Sequence, residues 1–130
     1  ITDVNIARRF LGEKNKVDYL TDAPNLYFSK DNEFDFVASS HVLEHIANPI
    51  KAIYEWKRVL KKGGFIYCGV PDKRFTFDHK RNRTSLDHLI DDYKNNVNQK
   101  DKTHLIDFIN NYDVTMDVVW NNKKEALDHI

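Results

Sequence analysis

Apolar residues gather along this chain into three short runs and a set of helical stripes. Val17–Leu20, Phe34–Ser39 and Phe65–Val70 have the length of strands. The second and third runs are continuously apolar instead of alternating, which predicts parallel strands buried on both faces. Between them Ala52, Ile53, Trp56, Val59 and Leu60 recur at the spacing of one helix face. Asn48 is suited to the N-cap, Pro49 to the first helical position and Gly63 to the C′ position. Arg58, Lys61 and Lys62 fall in the last turns, where the helix dipole favours cations. Strand, helix and strand of this length predict a right-handed βαβ unit, and so an α/β parallel sheet flanked by helices.

The flanks are less regular. Asp3–Leu11 predicts a helix through Val4, Ile6, Ala7, Phe10 and Leu11, while Asp72–Arg83 is a polar connection without periodicity. Thr84 is the expected cap of a helix with its stripe on Leu86, Leu89, Ile90, Tyr93 and Val97. A further helix is expected from Thr103, with Leu105, Phe108, Ile109 and Tyr112 on one face. Asn95–Lys102 reads as a linker, Val114–Trp120 as a short strand, and Asn122 with Glu125 as the opening of a last helical stretch.

Composition narrows the classes. The 130 residues suit one domain. Twenty basic residues balance twenty acidic ones, which argues against a protein that coats nucleic acid. A single cysteine, Cys68, cannot form an internal disulfide, so a reducing cytoplasmic compartment is expected, and its place in an apolar run predicts a buried thiol. No run reaches the roughly 18 apolar residues of a membrane span, so no membrane partner is expected.

The ordered set Asp22-Ala23-Pro24-Asn25-Leu26-Tyr27-Phe28, Phe34-Asp35-Phe36-Val37, His41-Val42-Leu43-Glu44-His45 and Arg58-Val59-Leu60-Lys61-Lys62-Gly63-Gly64 resembles the central stretch of class I S-adenosylmethionine-dependent methyltransferases. Val70-Pro71-Asp72-Lys73-Arg74, with Phe77-Asp78, Arg81, Thr84 and His88, resembles a subgroup associated with glycan or polysaccharide assembly. The resemblance implies an incomplete Rossmann-type methyltransferase domain spanning residues 1–130, with S-adenosylmethionine as cofactor. The acceptor would be a small molecule or glycan precursor methylated on oxygen or nitrogen.

It also implies roles for residues. Asp22 and Ala23 would border the adenine, Asp3 the ribose, and the loop after Ser39, with His41, the transferred methyl. His41, Glu44 and His88 are the catalytic candidates, with His41 or His88 as general base. Arg74, Asp78 and Arg81 are the candidates for binding the acceptor. No metal is assigned, since in-line displacement at a sulfonium methyl depends on positioning.

Two features depart from the family. Its acidic-Gly-x-Gly cofactor loop has no counterpart among Gly12, Gly63, Gly64 and Gly69, and its closing strands would follow the last residue. The expectation is a truncated domain that binds cofactor weakly by itself, with an oligomer or partner chain covering an open sheet edge.

Three rival readings stay open. His41-Val42-Leu43-Glu44-His45 also satisfies the His-x-x-Glu-His pattern of a zinc hydrolase. A non-catalytic interaction module would keep the sheet and lose the cofactor. Finally, Lys73–Arg83 interleaves Phe75 and Phe77 with basic residues, as single-stranded nucleic acid, an anionic sugar nucleotide, or a solvated loop paired with Asp72 and Asp78 would each require. Asp35 and Trp56 have structural explanations, as a strand-start acid and a core residue.

Overall fold

The computed structural model describes residues 18–116. The helix expected at Asp3–Leu11, Asp3 itself and the stretch opening at Asn122 lie outside the described residues.

The parallel pair is formed as the apolar runs predict. Strand β1 (Phe34–Ser40) lies beside β2 (Leu60–Gly69), with Phe36 opposite Phe65, Ala38 opposite Tyr67 and Ser40 opposite Gly69. They are joined through helix α1 (Pro49–Val59). Asn48 caps α1, its side chain accepting from the Lys51 N–H at 3.0 Å, and Pro49 occupies the first turn. The buried core is the stripe of this helix: Ala52, Trp56, Val59 and the adjoining Leu60.

Helix α1 stops at Val59, one turn before the expected end at Lys62. Leu60 is already extended and pairs with Phe34, so β1 captures the chain before another helical turn forms. Gly63, at φ +85°, lies within β2 where the pairing register shifts between Phe34 and Phe36, and does not terminate the helix. Gly64 is needed for room: a Cβ there would lie 2.9 Å from the Asp35 carbonyl oxygen.

Burial differs from expectation. Val37, Ser39 and Ile66, on one face of the pair, are half-buried or buried. On the other face Phe36, Phe65 and Tyr67 are each more than half exposed, Phe36 and Phe65 stacked at 5.8 Å between centroids. No described element covers that face. Cys68 is exposed as well, contrary to the buried thiol expected.

The run at 17–20 does not form a strand over its described part. Tyr19 instead stacks on Phe28 at 4.1 Å, which folds Asp18–Leu20 against the following loop. Val114–Met116 is a 3-10 turn where a strand was expected, and 117–120 lie outside the described residues.

Helix α2 (Leu86–Lys94) is capped by Ser85, one residue after the expected Thr84; the Ser85 hydroxyl accepts from the His88 N–H at 3.2 Å. Leu86 is exposed and Asp92 is buried, so the inward face is rotated from the apolar stripe. The Asn48 amide donates to the Asp92 carbonyl at 2.9 Å and ties that turn to the start of α1. Tyr54 and Tyr93 stack at 5.4 Å along the same contact. Helix α3 (Lys102–Asn111) is capped by Asp101, and Phe77, Phe108 and Tyr112 pack as an aromatic cluster beneath it.

Candidate functional site

Parallel sheets present their ligand crevices at the carboxyl ends of the strands, and there the chain leaves β1 through an unusual residue. The His41 N–H still donates to the Gly69 carbonyl at 3.0 Å, but its own backbone takes φ +53°. A 3-10 turn at Leu43–His45 follows. Glu44 is thereby set between two imidazoles, its Oε1 lying 3.5 Å from His41 Nδ1 and 3.9 Å from His45 Nε2. The segment is not an α-helix, so the one-turn spacing of His41 and His45 that a zinc hydrolase needs is not realised. Ser39, just before, is buried, and its Oγ finds no hydrogen-bond partner among the described residues.

The turn from Glu44 to Ala47 separates two cavities. On one side Asp22, Pro24 and Asn25 face Ile46, Ala47 and Asn48 across about 160 Å³. On the other a cleft of about 460 Å³ opens between Glu44, Arg81, His88, Asp92 and His104. A third cavity, bordered by Glu44, Ala47, Asp78 and Arg81, adjoins both.

The Asp22 side is held rigidly from α1. The Trp56 indole N–H donates to the Ala23 carbonyl at 3.1 Å. Glu55 Oε1 accepts from the Leu26 N–H at 2.9 Å, and Arg58 donates to the carbonyls of Leu26 and Ser29. Arg58 also pairs with Glu55 and Asp31, each at 2.7 Å. The Arg58 guanidinium holds the Glu55 carboxyl below its ordinary range, chiefly through their hydrogen bond.

The basic loop is largely neutralised by its own neighbours. Arg74 grips Asp72 and is exposed, while Lys80 reaches Asp113 at 2.6 Å. These contacts lower the carboxyl pKa of Asp72 and Asp113. Arg81 pairs with Asp107 at 2.7 Å and lies 3.4 Å from Asp78. Phe77 is packed on Phe108 and Tyr112 and offers no free ring. Asp35 pairs with Lys61 at 2.8 Å, as a strand-start acid would.

The structure thus gathers Glu44, Asp78, Arg81 and His88 around connected cavities, with His41 joined to them through Glu44. Asp22 faces the neighbouring cavity, and Ala23 is fixed by Trp56. Arg74 is turned away onto Asp72. His104 is the addition: His88 and Asp92 stand one helical turn apart in the sequence as a histidine–carboxylate pair, but nothing there gives His104 a role. The available signal was a histidine in the first turn of the helix after a His-x-x-x-Asp pair.

Comparison with known proteins bears on the family of the chain. A family model described as Methyltransferase domain matches residues 2–68, just over half of the chain. An uncharacterized protein of Methanocaldococcus jannaschii is 54% identical over 44 residues, covering 34% of this chain and 22% of that protein. An uncharacterized methyltransferase of Schizosaccharomyces pombe is 45% identical over 42 residues, 32% of this chain and 15% of that protein. The chain therefore spans less than a quarter of either relative by these matches. No solved structure matches significantly.

Proposed function

The chain belongs to the methyltransferase domain family, and from that premise we propose that it forms part of an enzyme that moves a methyl group from S-adenosylmethionine to an oxygen or nitrogen acceptor. The observation behind the reading is the pair of cavities meeting at the Glu44–Ala47 turn. One suits a cofactor and the other an acceptor, both at the carboxyl end of β1.

The residues present fit part of the cofactor. A cavity of about 160 Å³ beside Asp22 is smaller than the 300 Å³ or more that encloses a drug-sized ligand, so it suits the adenine end alone. Asp22 would accept from the adenosine, and Ala23, held by Trp56, would border the base. Ser39, whose buried Oγ has no hydrogen-bond partner among the described residues, is proposed as a further polar contact for the cofactor. Asp3 is proposed for the ribose and lies outside the described residues.

When bound, S-adenosylmethionine supplies an electrophilic methyl on sulfonium. The methyl would pass to an acceptor lone pair with the sulfide as leaving group, and the acceptor proton would need a base among this chain's own residues. Glu44, buttressed by His41, lies beside the acceptor cleft, and His88 lies across it. His41 or His88 is the proposed proton acceptor. Arg81, with Asp78, would orient an acidic or hydroxyl-rich acceptor such as a glycan precursor; Arg74 could join only by releasing Asp72.

Calorimetric titration with S-adenosylmethionine tests this, run on the chain and on a longer polypeptide that includes it. Binding that Asp22→Ala weakens by about 10- to 100-fold, the worth of one charge-assisted hydrogen bond, supports the reading. Cofactor binding indifferent to Asp22 refutes the assignment of this cavity. Absence of binding in both polypeptides favours a non-catalytic interaction module.

A further inference from the structure

His88, Asp92 and His104 present one ligand atom each within 4.8 Å of one another, the metal-competent group among the described residues. We propose that they form a binding site for a divalent transition metal of the zinc type, on the floor of the acceptor cleft.

The distances suit coordination. Asp92 Oδ1 lies 3.3 Å from His104 Nε2, and Oδ2 lies 3.3 Å from His88 Nε2. Ligands about 2.0–2.2 Å from a tetrahedral ion are separated by roughly 3.3–3.6 Å. An ion can therefore sit among these groups after only small side-chain rotations. Two imidazoles and one carboxylate select zinc, iron, nickel or copper over magnesium or calcium.

A second observation separates this group from an ordinary histidine–carboxylate pair. The Asp92 side chain is 8% exposed, yet its Oδ2 has no hydrogen-bond partner among the described residues. His88 Nε2 is close but not aligned to donate to it. A buried carboxylate oxygen left without a donor is costly unless a cation or hydrogen bond compensates it. Asp92 also lines the cleft together with both histidines.

The scaffold is built to hold the three in place. His88 and Asp92 stand one turn apart on α2, and the Asn48 amide fixes the Asp92 backbone from α1. His104 occupies the first turn of α3, anchored by the Asp101 cap. The ion's remaining positions would face the cleft toward Glu44 and Arg81, open to water or to an oxygen-rich acceptor, as in sites that do chemistry. With the ion bound, His88 is a ligand and not a base, which leaves His41 to accept the proton.

The test is metal binding and requires no methyl transfer, so its failure is distinguishable from failure of the enzymatic reading. Tag-free protein is dialysed against chelator, titrated with zinc chloride by calorimetry, and reloaded with cobalt(II) for visible spectroscopy. One zinc per chain is expected, with no magnesium binding. Tetrahedral cobalt bands should disappear in His88→Ala with His104→Ala. The near-isosteric Asp92→Asn should weaken zinc by at least about 10- to 100-fold, the cost of losing even a supporting partner of a site. Far-UV circular dichroism confirms that each variant is folded; His88, half exposed, is the safest single substitution. Folded wild-type protein that takes up no zinc overturns the proposal. So does zinc retained undiminished by the double variant, or zinc lost instead in His41→Ala with His45→Ala.

Discussion

The two sides of the Glu44–Ala47 turn are constructed in opposite ways. On the Asp22 side, Trp56, Glu55 and Arg58 of α1 satisfy the carbonyls of Ala23, Leu26 and Ser29 and the Leu26 N–H. On the His88 side the polar groups face an open cleft, and the buried carboxylate there has an oxygen with no hydrogen-bond donor among the described residues. A loop stapled in this fashion can hold a cofactor edge at fixed distance. A cleft with unfinished polar contacts is where something else must bind. The difference predicts that damage to the first side appears mainly as lost stability, and damage to the second mainly as lost binding.

The largest effect should come from the staple itself. Trp56 is 4% exposed and fills the space between α1 and the Asp22 loop. Trp56→Ala should destabilise by about 3–5 kcal/mol, the range for truncating a buried aromatic. Trp56→Phe removes the hydrogen bond to Ala23 and part of the bicyclic bulk while keeping an aromatic ring in place, so a smaller loss of roughly 1 kcal/mol or more is expected. Urea unfolding measures both. Equal losses in the two variants would mean that the indole N–H, and not the ring, holds the region together.

Asn48 belongs to both sides and should come next. Its carbonyl oxygen caps α1 while its amide donates to the Asp92 carbonyl. Asn48→Ala loses a cap and a buried bridge, together about 1–3 kcal/mol. It should also weaken any ligand held by Asp92, because the turn of α2 that carries it is released. Asn48→Ser, which keeps cap capacity without the amide, should recover part of the stability but not the ligand binding. If Asn48→Ala left zinc or acceptor binding intact, α2 would not depend on this bridge for its position.

How much of this was written in the sequence follows the same division. The Asn48–Pro49 start, the α1 stripe and the parallel pairing of β1 with β2 are local or nearest-neighbour features, and periodicity and capping chemistry report them directly. The end of α1 was misplaced because Leu60 is claimed by Phe34, a contact that no helix signal contains. The second and third apolar runs correctly marked strands, yet Phe36, Phe65 and Tyr67 are exposed, since a pattern shows which side is apolar and not what covers it. Glu44 and His88 were legible as pocket residues from their place after a strand and on a polar helix face. The Arg58 hub and His104 were not, because the partners that fix them across the fold stand 12 to 32 residues away. Arg74 was assigned to acceptor binding from its company in sequence, but the nearest carboxylate, Asp72, claims it.

The smallest effect is one of pH, and it sharpens the comparison from the stapled side. Glu55 binds Arg58 and the Leu26 N–H, and these contacts hold its carboxyl below the ordinary value of 4.5. A carboxyl depressed on folding contributes stability that is fully present above its unfolded value and is lost as pH falls through its folded value. The expected outcome is a stability difference between the wild type and Glu55→Gln that is constant from neutral pH down to about pH 5. It should shrink as acid protonates the wild-type carboxylate and level off below the folded value. The pair is only partly shielded from water, with Arg58 31% exposed at its side chain, so salt should reduce the difference further. Thermal melts from pH 7 to pH 2, at low and high salt, measure both trends. A difference that persisted unchanged into acid would show that Glu55 acts through its neutral contact with the Leu26 amide alone, and that Arg58 stabilises the loop by its bonds to carbonyls and Asp31 instead.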